Sequence, residues 1–189
     1  MRKYFNNLCF SRRVKTTLGT FVSSLLLYAA AITGLAAGVQ ANWSIIQDLN
    51  GGDSITVAKQ STNLVPGLFG RSEPARMSVQ CLDNRTSVSF SFKDNYLSNL
   101  DDYANISLQL GGALAIGATA MEVTLERADA PDTLIWPNGV ETVPFLKQAM
   151  LASTLSVGVV SFTDAYLSAD FELDGLADAL TELRAMCNW

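Results

Sequence analysis

Apolar and polar residues alternate with period two in short runs along much of this chain. Met77, Val79 and Cys81 alternate with Arg76, Ser78 and Gln80, which places the first set on one face of a strand. After a turn at 83–85, Val88, Phe90 and Phe92 alternate with Ser87, Ser89 and Ser91. The two runs predict a hairpin with an apolar inner face and a polar outer face. Further strands are predicted at 54–61, 103–110, 121–127, 133–136, 155–162 and 166–173. Trp43 and the residues after it open the folded part, and Asn50-Gly-Gly-Asp53 reads as a turn. Pro66, Gly67, Gly70 and Pro74 mark 62–75 as a loop. Gly111-Gly112 ends one strand, and the small apolar run 113–120 fits either helix or strand.

The period lengthens in two places. Residues 143–153 read as a short helix with Pro144 in its first turn. At the end of the chain Leu173, Leu176, Leu180, Leu183 and Cys187 follow steps of three and four, the single stripe of an amphipathic helix over 174–187. The expected fold is α+β, an antiparallel sheet packed against a C-terminal amphipathic helix in one disulfide-linked domain.

The first 41 residues break this pattern. They carry Arg2, Lys3, Arg12, Arg13 and Lys15 and no acid, and no charge occurs from Thr16 to Gln40. A basic stretch, an apolar run and Val39-Gln40-Ala41 together predict a signal peptide over 1–41, cleaved after Ala41. The alternative is an uncleaved anchor, because 16–40 is long enough for a hydrocarbon core of roughly 30 Å. In either case 42–189 is placed beyond the membrane, periplasmic or secreted. Any membrane contact runs through the N-terminal segment alone.

Charge and composition narrow the chemistry. Five of the 13 basic residues lie in 1–41, so the remainder holds 8 against 18 acidic ones, a formal charge of −10. That balance repels nucleic acid and anionic lipid, and nucleic-acid partners are not expected. The chain has no histidine, which removes Ser–His–Asp and Cys–His catalysis and histidine-containing zinc sites. No cofactor is expected.

Cys9 leaves with a cleaved signal, so Cys81 and Cys187 remain in the exported part. An even count in an oxidising compartment points to a bridge. Cys81 lies on the inward face of its strand and Cys187 on the inward stripe of the last helix. The alternative is a pair of buried free thiols. A bridge would close a loop of 106 residue steps. Loop-closure entropy for a ring near that size is worth about 4.7 kcal/mol.

Other candidate sites are sparse. Asp48, Asn50 and Asp53 have calcium-like spacing but lack the closing bidentate Glu of an EF-hand. Asp101 and Asp102 are the one carboxylate pair that suggests a hydrolase. Gly111, Gly112 and Gly117 do not form a phosphate loop. Asn42, Asn84 and Asn105 lie in glycosylation sequons. Trp43, Trp136 and Trp189 are candidates for a binding face or for core positions.

Five segments together resemble a known family: Trp43, Gly52-Asp53-Ser54, Cys81-Leu-Asp-Asn84-Arg-Thr86, Phe171-Glu-Leu-Asp-Gly-Leu176 and Cys187-Asn-Trp189. Residues 145–153 resemble its late helix. The pattern is similar to the periplasmic type VI secretion-associated VasI/TagO proteins. That resemblance implies an envelope protein without catalytic residues, an accessory to type VI secretion whose partners are other envelope proteins. The competing expectation is a periplasmic binding module holding a small molecule or cell-wall fragment between sheet and helix.

Overall fold

A computed structural model of the chain describes residues 43–48, 54–97, 102–112, 119–137 and 139–189. The chain divides into two units, Met1–Ala36 and Ala37–Trp189. All of the first unit, and with it most of the expected export segment, lies outside the described residues. No helix among the described residues is long and apolar enough to cross a membrane.

Among the described residues, the second unit is built on a mostly antiparallel sheet of nine strands. Four of them form a meander: β1 Ser44–Asp48, β2 Ser54–Pro66, β3 Ser72–Leu82 and β4 Arg85–Ser91. Next come β5 Tyr103–Gly111, β6 Thr119–Arg127 and β7 Thr133–Trp136, then β8 Thr154–Val160 and β9 Tyr166–Glu172. The spatial order is β1-β2-β3-β4-β7-β6-β5-β8-β9. Helix α1, Gly139–Ala149, carries the chain from β7 to β8.

The sheet curls until β9 meets β2. The Asn63 Nδ2 donates to Ser168 O at 2.9 Å, and Asn63 Oδ1 accepts from Asp170 N at 2.8 Å. The side-chain amide thus stands in for a peptide group where the two strands lack a ladder. It is presented by an irregularity between Gln60 and Leu64 of β2, where Ser61 Oγ also accepts from Ala75 N at 2.9 Å. Inside the curl, Phe90 of β4 and Phe171 of β9 approach to 6.4 Å between ring centroids. The inward residues Met77, Val79, Cys81, Val88 and Phe90 are all fully buried, as the alternation requires.

The β3–β4 hairpin turns on Asp83 and Asn84, with φ of 49° and 60°. Two consecutive left-handed residues give a tight turn whose twist matches the strands. Arg85 therefore belongs to β4 rather than to the turn. The expected loop at 62–75 shrinks to 67–71, because β2 runs on to Pro66 and β3 begins at Ser72. Pro66 ends its strand and Pro74 lies beside the irregularity, both places where a missing N–H costs little. Helix α1 begins earlier than 143 and leaves Pro144 inside it. Its first turn is fixed from outside, by Thr142 Oγ1 donating to Thr86 O at 3.2 Å.

The single C-terminal helix expected over 174–187 is replaced by two short ones, α2 Leu176–Ala179 and α3 Thr181–Met186. Gly175, at φ 78°, precedes the first. At the joint the Thr181 hydroxyl donates to Ala177 O at 3.3 Å. A side chain competing for a helical carbonyl loosens the backbone at that point. Leu173, Leu176, Leu180, Leu183 and Cys187 are nevertheless all buried.

Candidate functional site

The two ends of the sheet differ in character. At one end β3 turns into β4 and the C-terminal segment returns. Cys81 and Cys187 are disulfide-bonded there, with Cα atoms 5.9 Å apart. Two further bonds strap the last residues to the hairpin: Asn188 Nδ2 donates to Asn84 Oδ1 and Trp189 Nε1 to Thr86 Oγ1, each at 2.9 Å. The Arg184 guanidinium stacks 5.4 Å from the Trp189 ring centroid. Beside this strap opens a cleft of about 460 Å³ lined by Arg85, Thr86, Pro137, Val140, Val143 and Trp189, among others. A second cleft flanks α1 on the side of Met121, Val123 and Trp136. Strands β6 and β7 pair only at Glu126 and Arg127, and residues of α1 line the cleft beside them.

The sequence-derived candidates fall in separate places. Asp102 is held in an ion pair with Arg127 Nη2 at 2.7 Å. Its carbonyl also accepts from Arg127 N at 2.7 Å, so it ties the start of β5 to the end of β6. Asp101, Asn50, Asp53, Gly117 and Asn42 lie outside the described residues. Among the described residues no three His, Cys, Asp or Glu side chains are placed to hold a metal ion. Gly112 has φ 129° with the Ser153 backbone N close beside it, a tight strand junction. Asn105 Oδ1 accepts from Thr124 Oγ1 at 2.7 Å.

The tryptophans are dispersed. Trp43 donates to Asp174 O at 3.0 Å and carries the Lys59 ammonium 5.2 Å from its ring. Trp136 is buried against Phe145 at 5.6 Å between centroids, with its Nε1 3.2 Å from Glu141 Oε2.

The opposite end of the sheet is a rim of apolar side chains that the sequence did not single out. Leu68 and Phe69 stand on the β2–β3 turn, Tyr96 on the segment after β4, and Phe162 on the β8–β9 turn. They are 40%, 77%, 53% and 57% exposed, far above what four large apolar residues show in a core. The loops that carry them are joined through the backbone: Phe162 N donates to Tyr96 O at 2.7 Å and Leu68 N to Asp94 O at 3.3 Å. Buried Asn95 donates from Nδ2 to both Pro66 O and Lys93 O at 3.1 Å. On the flank, Lys93 Nζ lies 2.6 Å from Glu73 Oε2. That hydrogen bond and Glu73's charge hold the ammonium above the ordinary lysine value.

The rim has a weak trace in the sequence. Leu68-Phe69 stands between Gly67 and Gly70, and Phe162 stands within a Ser-Phe-Thr-Asp turn. Large apolar residues in turns lie where strands do not need them.

No protein-family model matches the chain, and no curated protein or solved structure matches it.

Proposed function

We propose that this is an exported, non-enzymatic envelope protein that acts through contacts with other proteins, as an accessory of type VI secretion. The observation that carries the reading is the rim. Side chains as large as Phe69 and Phe162 forgo the free energy of burial when left in water, about 1.5–3 kcal/mol for each. Clustered on tethered loops, they form an apolar patch of the kind that marks an interaction surface. The segregated N-terminal charge and the cysteine pair support export, and the resemblance of the terminal segments supports the secretion setting. In this reading α2 and α3 together serve as the amphipathic C-terminal helix, a cap over the disulfide end, while the rim faces the partner. A photo-crosslinking residue at Phe69, in the full chain in its own host, tests the reading. Crosslinks to envelope proteins are expected from Phe69 and not from Ser89 on the polar sheet face. Equal yields from both positions overturn it.

The cleft beside Trp189 favours a second reading, a binding module for a cell-wall fragment. Its volume of about 460 Å³ lies within the usual range for small-molecule sites, roughly 300–1,000 Å³. Saturable quenching of tryptophan fluorescence by soluble cell-wall fragments, lost in Trp189→Phe, is the expected sign. A flat titration removes this reading.

A further inference from the structure

Within the rim lies a smaller cleft whose walls define one kind of occupant. Its volume is about 210 Å³, and Phe69, Tyr96, Asp94, Asp132, Asn95 and Pro131 line it. That is less space than a small-molecule site usually offers, but enough for one long side chain. Two aspartates are among its lining residues, and among the described residues no Lys or Arg lines it. Asp94 sits in a left-handed turn at φ 62°. Asp132 is fixed by Thr133 Oγ1, which donates to its Oδ1 at 2.9 Å. Its carbonyl also accepts from Phe92 N at 2.9 Å. Lys93, the nearest cation in sequence, hydrogen-bonds Glu73 and also feels the charge of Asp94, but it does not line the cleft. Aromatic rings beside carboxylates are the surroundings that attract an arginine or lysine.

We infer that this cleft receives a basic side chain of a partner protein, an arginine or lysine flanked by apolar residues that cover Phe69 and Phe162. The inference rests on the protein-contact reading of the rim and names the chemistry of the partner. Charge complementarity selects this occupant over the alternatives. An anionic lipid surface is repelled by an exported part bearing 18 acidic against 8 basic residues. A second copy of the chain brings the same net charge.

The test uses the purified full chain to select binders from a random peptide display library. Selected peptides are expected to carry Arg or Lys next to an apolar residue. Replacing that Arg by neutral citrulline weakens binding by about tenfold, and Asp94→Asn with Asp132→Asn does the same on the protein side. Binding also weakens as salt is raised. An unchanged melting temperature in the double variant shows that the fold is retained. Asp94→Asn alone serves if the double variant is unstable.

Selection of peptides without a cation, binding indifferent to both aspartates, or no selected binder at all overturns the inference. So does a rim that closes on a second copy in sedimentation equilibrium, or that binds phosphatidylglycerol vesicles through Phe69. The two readings fail separately. Loss of binding in Phe69→Ser with none in the Asp variants removes only the basic occupant. Crosslinking indifferent to position removes the protein-contact reading itself.

Discussion

Single residues carry much of what holds this domain. Cys187 is covalently joined to Cys81 across 106 residues. Breaking that ring frees unfolded-chain entropy, so Cys187→Ser is expected to cost about 2–5 kcal/mol, read by urea denaturation. Mass spectrometry under non-reducing conditions should find no free thiol at either position. Gly112 illustrates a different constraint. Its φ of 129° suits glycine, and an added Cβ would lie 2.7 Å from the Ser153 backbone N. Backbone cannot swing aside as a side chain can. Gly112→Ala should therefore destabilise by about 1–3 kcal/mol, seen as a lowered melting temperature. Gly158 is the contrasting case. The ring of Tyr166 lies across it on the outer face, and a flexible side chain can yield.

At the level of elements, β2 and β9 meet at a seam held by side chains rather than by a strand ladder. It depends on Asn63, whose amide makes two bonds to the β9 backbone. Asn63→Ala leaves Ser168 O and Asp170 N without those partners, a loss of about 1–3 kcal/mol. Hydrogen exchange at the Asp170 amide should speed up more than at Val79 N in the centre of the sheet. The alternation of residues within β3, β4 and β5 made these strands legible, because one face meets the core and the other meets water. Asn63 was not legible. A polar residue beside a proline-rich stretch looks like a loop until the strand it bridges is seen to lie next to it. The terminal helix shows the same limit from the other side. Its apolar stripe was readable, but the break at Leu180, where the Thr181 hydroxyl bonds the Ala177 carbonyl, was not.

For the whole molecule, the absence of histidine removes the side chain whose ordinary pKa falls between pH 5 and 8. The raised value of Lys93 acts only in the alkaline range. Its contribution is complete below the ordinary lysine pKa and is lost as pH rises through the higher folded one. The melting temperature is therefore expected to vary by less than about 4 °C between pH 6 and 8, measured by calorimetry. A larger change would point to a carboxylate with a strongly altered environment.

The sequence by itself determined the period-two strands, the buried stripe ending at Cys187, and the pair of cysteines that face inward. Each of these depends on neighbours a few residues away, where local geometry fixes the side a residue points to. Only the tertiary structure decided that β9 returns to β2, that the last helix is two, and that Leu68, Phe69, Tyr96 and Phe162 share one rim. Those outcomes join distant segments, Asn63 to Asp170 across 107 residues and Leu68 to Phe162 across 94. Turn residues carry no periodicity to announce such meetings. The sheet order places them together, and it is set by packing of the whole core.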